Sequence, residues 1–163
     1  MKIAINYQLK SGSWGGGNQF VTSLVKACLE KGFEVTFELK EKDIDIILLI
    51  DPRSYTEEVT FGSLDIIFYL LFKNYRAIVV HRINECDERK NTRHMNSFLR
   101  LANYVADHNV FISHWLIKLN IYERNKPYSV ILNGADEKVF NDSKNKLWIK
   151  GEPLKIVTHH WSS

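Results

Sequence analysis

The chain has 163 residues, long enough for one domain with a sizeable core, and its 45% apolar and 25% charged content is that of an ordinary globular protein. The net charge of +3 comes from lysines and arginines scattered among acids, with no block of like charge, which argues against nucleic-acid binding. No charged region followed by a long apolar run opens the chain, so no signal peptide is expected, and the two cysteines form no Cys-x-x-Cys pair, as expected of a reduced, cytoplasmic protein.

Taken in order, Lys2-Ile3-Ala4-Ile5-Asn6-Tyr7 predicts a first strand. Ser-Gly-Ser-Trp-Gly-Gly-Gly-Asn follows at 11–18. Beyond it, Phe20, Val21, Leu24, Val25, Cys28 and Leu29 fall on one helical stripe, with Gly32 ending the helix. Phe33–Phe37 predicts a second strand. Ile44–Ile50 is nearly all apolar, as expected of a strand buried on both faces, and Asp51-Pro52-Arg53 stops it. Residues 62–73 predict a helix whose apolar run, Leu64 to Phe72, is too short for a membrane span. The run is expected to be buried, with a membrane-surface contact as the alternative. Arg76–His81 predicts a buried strand, 92–103 a helix, Asn109–Ser113 a strand, and a further helix starts near His114. Tyr128–Leu132 predicts the last strand of this set, and Asn133-Gly134 a turn. Asn141–Glu152 is a polar connector, and Pro153–Thr158 begins a new strand. A chain that stops as a strand begins is expected to be a piece of a larger protein.

Strands alternating with helices imply an α/β fold, a Rossmann-like parallel sheet with helices on both faces. Right-handed crossovers then gather the strand carboxyl ends on one edge, where ligands bind. Five polar segments fall at such ends: the glycine loop, Asp51, His81-Arg82, Ser113 and Asn133-Gly134. Together they describe a cleft.

The glycine loop, Gly15-Gly16-Gly17-Asn18, suits an anion, because glycine lets backbone approach a ligand and a helix start offers free N–H donors. It is not a dinucleotide fingerprint, since Phe20 stands where the third glycine belongs, and no Gly-Lys-Ser/Thr follows to make a P-loop. Asp51 follows an apolar third strand as a receiver phosphoacceptor does, but Asn6-Tyr7-Gln8 supplies no acid pair for the metal that chemistry needs. Asp51 is therefore a loop cap or a cleft residue. His81 at a strand end suits a proton carrier or a donor to a sugar hydroxyl, or equally a satisfied core histidine. Arg82 suits a phosphate or carboxylate in forked geometry, or a pair with Glu85 or Asp87. Trp14 would stack on a sugar or base, or cover the loop. The remaining histidines show no metal-ligand spacing, and no nucleophile elbow surrounds Ser113.

The glycine loop, Val80-His81-Arg82-Ile83-Asn84, Ala106-Asp107 with Phe111-Ile112-Ser113, and the segment from Val130 through Asn133-Gly134-Ala135-Asp136 to Phe140 occur in that order. The combination resembles the N-terminal domain of glycosyltransferase family 4, the group 1 class with the GT-B fold. The last segment is the most specific, being similar to Asn-Gly-Val-Asp-x-x-x-Phe with Ala135 in place of valine. The resemblance spans most of the chain.

The resemblance implies a two-domain enzyme that moves a sugar from a nucleotide-sugar donor to a glycan or lipid-linked glycan, with retention and without a protein-bound metal or cofactor. Residues 1–152 would be the acceptor-binding domain, and 153–163 the start of the donor-binding domain that carries a Glu-x7-Glu motif. Gly15, Gly16, Gly17 and Asn18 would face the donor phosphate or the acceptor. His81 would hydrogen-bond a donor hydroxyl or position the acceptor. Asn133-Gly134 would shape the cleft floor, and Glu85 and Asp87 are acceptor-side candidates. Two other readings remain open: a non-catalytic α/β module that binds a phosphate ligand, and a nicotinamide-dependent oxidoreductase domain.

Overall fold

A six-stranded, wholly parallel sheet in the order β2-β1-β3-β4-β5-β6 organises the protein, as the alternation of strand and helix predicts. The structure is a computed structural model and describes residues 1–12, 15–54, 56–135 and 148–153. The chain forms two units, Met1–Leu132 and Asn133–Ser163, and the sheet lies in the first. Its strands are β1 (Lys2–Ile5), β2 (Glu34–Thr36), β3 (Ile46–Leu49), β4 (Ile78–Ile83), β5 (His108–Phe111) and β6 (Tyr128–Val130). Its helices are α1 (Gly16–Glu30), α2 (Ser63–Phe72), the short α3 (Asp87–Lys90) and α4 (Met95–Val105). The expected strand from Pro153 and the segment Asp136 to Phe140 lie outside the described residues, as does Trp14.

Two layers of helix cover the sheet, and the two-residue pleat decides which side chains meet which layer. Ile3 and Ile5 of β1, with Ile46, Leu48 and Ile50, pack against Val21 and Cys28 of α1. Ala4, Ile47, Leu49 and Val79 turn the other way, onto Ile66 and Tyr69 of α2 and Ala102 of α4. Farther along the sheet, Ile83 and Phe111 pack with Met95 and Leu99 of α4 and with Leu116 and Ile121. The near-continuous apolar runs of β3 and β4 are thus buried from both sides, as parallel strands require.

The ends of the elements have local causes. Gly32, at φ +75°, closes α1 in the left-handed conformation, and the amide of Phe33 donates back to the Cys28 carbonyl at 3.0 Å. Asp65 accepts from the Gly62 amide at 2.7 Å and opens α2. At the opposite edge of the sheet from the strand carboxyl ends, Lys2 ties β1 to the carboxylates of Glu34, Glu41 and Asp43.

Several expected boundaries move. β4 continues two residues past His81, because Arg82 and Ile83 still pair with Val110 and Phe111 of β5. The helix expected at 92–103 is α4, which starts three residues later, and the separate short α3 precedes it. Asn91 takes a left-handed φ of 53° after α3, and the Asp87 carboxylate accepts from the amides of Met95 (2.9 Å) and Asn96 (3.0 Å), so α4 starts there. After Ser113 the chain makes only a 3-10 turn, His114–Lys118. Asn133-Gly134 is irregular rather than a turn, and Gly134 has no positive φ.

The apolar run of α2 is the largest departure. Ile66 and Tyr69 are buried, but Leu64, Phe68, Leu71 and Phe72 are 60%, 60%, 69% and 76% exposed. In a single layer of helix α2 rests on the sheet and beside α4, and the described residues place nothing over its outer side.

Gly32→Ala is expected to lower stability by about 1 kcal/mol, the cost of a Cβ in the left-handed region. The midpoint of urea unfolding, at unchanged slope, reads this directly.

Candidate functional site

The strand order reverses between β1 and β3: the chain leaves β1 for β2 on one side and returns to β3 on the other. Connections leaving the carboxyl ends of β1 and β3 therefore diverge and open a crevice, the position where doubly wound sheets bind ligands. Residues 6–12 and Gly15 lie on one wall, and 50–54 and 56–62 on the other.

Asn6 holds these walls together. It is fully buried, and its amide nitrogen donates to the carbonyls of Asp51 (2.6 Å) and Phe61 (3.0 Å). Its Oδ1 accepts from the Ile50 amide at 2.7 Å. In the sequence Asn6 marks only a missing acid pair; its role depends on segments more than 40 positions away, and no local pattern announces it.

The glycine loop enters α1 directly. Gly15 stands at the N-cap without a side-chain cap, and the first turn of α1 carries no acid. The amides of Gly16 and Gly17 meet no acceptor among the described residues. A Cβ on Gly15 or Gly16 would touch nothing within 4 Å, whereas one on Gly17 would come 3.2 Å from the Tyr7 hydroxyl. So Gly17 packs closely against the Tyr7 side chain, while Gly15 and Gly16 leave the helix start open. Asn18 is 6% exposed and does not face that opening. Its amide exchanges two 2.9 Å hydrogen bonds with the backbone of Lys10, clamping the loop shut on itself.

Arg82 lies on the α1 side of the sheet, its guanidinium 3.8 Å from the centroid of Phe20, one turn into α1 from Gly16. Burial pushes its pKa down from the ordinary arginine value. Neither acid expected beside it is engaged there. Glu85 pairs with Lys90 at 3.1 Å, and Asp87 caps α4. Burial works against the Asp87 carboxylate, but Thr92 and the amides of Asn96 and Met95 hold it below its ordinary range.

Asp51 is a loop cap. Its carboxylate accepts from the Arg53 amide at 2.9 Å and from the Arg53 guanidinium at 2.9 and 3.2 Å. Across the loops, Lys10 pairs with Glu58 at 3.0 Å.

His81 is separated from Arg82 by the pleat. It faces α4, is fully buried, and its Nδ1 lies 2.7 Å from Asn103 Oδ1. Asn109 lies opposite it in register, where Nε2 and the Asn109 amide stop short of a well-formed hydrogen bond. Burial pushes the imidazole down to about 4, only partly opposed by Asn103. The Ser113 hydroxyl is likewise buried without a partner among the described residues. Asn133 and Gly134 fall in the second unit.

Among the described residues, no three His, Cys, Asp or Glu side chains are placed to hold a metal ion. Two surface cavities lie away from the crevice. One, of about 300 Å³, is lined by Ile117, Lys118, Tyr122, Arg124 and Tyr128. The other, of about 600 Å³, lies at the amino-terminal edge of the sheet beside Met1, Ile46 and Ile78.

Sheet and crevice define the class: a doubly wound, Rossmann-like α/β domain whose switch point is flanked by an open helix start and a buried arginine. The chain matches no family model, and no curated protein or solved structure shows significant similarity to it. Among the described residues, no helix is long and apolar enough to cross a membrane.

The buried imidazole predicts a pH dependence. In the folded chain His81 stays neutral down to about 4, while unfolded it titrates near its ordinary 6.5. Above that value both states are neutral and nothing changes. As pH falls from 6.5 toward 4, only the unfolded chain takes the proton, so stability falls, by roughly 3 kcal/mol in all. His81→Gln is expected to flatten this share of the profile, measured by urea unfolding across that range.

Proposed function

We propose that the chain is the acceptor-binding half of a glycosyltransferase similar to family 4, working in the cytoplasm on a nucleotide-sugar donor and a glycan or lipid-linked acceptor. The observation that carries this reading is the open start of α1 at the switch point. Two uncapped amides, the positive end of a 15-residue helix and the Arg82 guanidinium stacked on Phe20 of the same helix suit a phosphate-bearing substrate. The motifs from Val80-His81-Arg82 to Asn133-Gly134 add the likeness to that family. Under this reading a second domain holds the donor, and Gly15, Gly16 and Arg82 form one lip of the shared site. Asn18 and Asp51 shape the loops, while His81 anchors β4 to α4 behind the crevice. Because groups from both walls are needed at the reacting centre, residues 1–163 alone would not transfer sugar.

The test is a screen of nucleotide sugars with the full-length gene product and glycan or lipid-linked acceptors. Transfer from at least one donor is expected. No transfer from any of them, or transfer by residues 1–163 alone, defeats the reading.

Gly16→Asp discriminates further. Its Cβ meets nothing, so the unfolding midpoint should hold, while the carboxylate repels an anion at the helix start. Activity at subsaturating substrate is expected to drop about tenfold, equivalent to about 1.4 kcal/mol. Unchanged activity would remove the helix start from the site.

A further inference from the structure

Leu64, Phe68, Leu71 and Phe72 recur along α2 at the spacing of one helical side, and Tyr75 continues the line just beyond it. All five are more than half exposed, and the rings of Phe68 and Phe72 stack with centroids 6.2 Å apart. The opposite side of the same helix already supplies Ile66 and Tyr69 to the core, so folding of this unit does not require the outer stripe. Helix α4, which packs beside α2, also exposes Leu101 and Tyr104.

Four cations border this face, and the acids near its edge, Glu41 and Asp43, are engaged by Lys2. Lys73 donates to the Leu39 carbonyl at 2.6 Å, and Arg76 lies over the Tyr75 ring at 5.4 Å. Arg100 of α4 donates to the Asn120 carbonyl at 2.9 Å, and Lys126 lies over the Tyr104 ring at 5.8 Å. None of the four meets a carboxylate among the described residues. The sole acid on α2 or α4 is Asp65, and it is turned back onto the Gly62 amide.

An apolar stripe this size on a surface helix marks a contact, and its margin says with what. Two copies meeting through this face would set these four cations against one another, which disfavours a dimer. Apolar side chains on one helix side, with tyrosines with polar tips and cations that lack a carboxylate partner around them, match a lipid layer with hydrocarbon inside and anionic headgroups outside. We propose that the α2–α4 face docks on an anionic bilayer surface, with α2 lying along the interface and Phe68 and Phe72 entering the acyl boundary. α2 has 10 residues, half the roughly 20 that a span needs, so the contact is peripheral. The proposal stands independently of sugar transfer.

Co-sedimentation of the full chain with vesicles tests it, using phosphatidylcholine alone and phosphatidylcholine mixed with phosphatidylglycerol. Binding to the mixed vesicles, weakening as salt rises, is expected, with little binding to the neutral ones. Phe68→Ser with Phe72→Ser, and separately Arg76→Glu with Arg100→Glu, are each expected to weaken it at least about tenfold at unchanged unfolding midpoint, since all four side chains are exposed. Absence of binding to the mixed vesicles, equal binding to both kinds, or indifference to both variant pairs overturns the proposal. So does a lipid-free dimer, seen by sedimentation velocity, that the Phe68→Ser, Phe72→Ser chain no longer forms.

Discussion

The crevice depends on one buried side chain. Asn6 leaves β1 where the sheet changes direction, and its amide reaches the backbone of Ile50, Asp51 and Phe61. Without it, two diverging loops would bury polar backbone atoms with nothing to meet them, at a cost of about 1–3 kcal/mol for each group left unmade. Through Phe61 the same amide orients Gly62, where α2 begins. Through Asp51 it seats the turn that captures Arg53. The loop after β3 and the start of α2 are thus tied to β1 by a single carboxamide, which explains how irregular backbone is held in place there.

The pleat of β4 divides the chemistry that the sequence places side by side. His81 and Arg82 are adjacent, yet one lies against α4 and the other against α1, on opposite faces of the sheet. Arg82 meets α1 because Phe20 is on the same face. His81 bonds Asn103 in a buried polar seam beside Asn109, where burial disfavours the charged ring. Asp51 and Glu85 show a related effect. Each finds a cation within a few residues, Arg53 or Lys90, and becomes part of loop architecture.

Much of the fold was legible in the residues. Apolar runs at 44–50 and 76–81, the stripe from Phe20 to Cys28 and Gly32 after it carry local signals with local causes: burial on two faces, helical period and left-handed φ. They identify the strands, the first helix and the parallel class. Legibility failed where a partner far along the chain decides the outcome. The extension of β4 through Ile83 needs β5 beside it, and the start of α4 needs the Asp87 carboxylate. Likewise, an apolar run in α2 says that apolar neighbours suit it, but not that only one side will find them.

By itself, then, the sequence determined a Rossmann-like α/β chain with an anion-suited glycine corner opening its first helix, because period and turn chemistry act between near neighbours. The tertiary structure alone decided which polar residues share the crevice. Strand order puts Asn6 between β1 and β3, and side-chain alternation sends Arg82 toward α1 and His81 away from it. Both are properties of the assembled sheet, which no stretch of sequence contains.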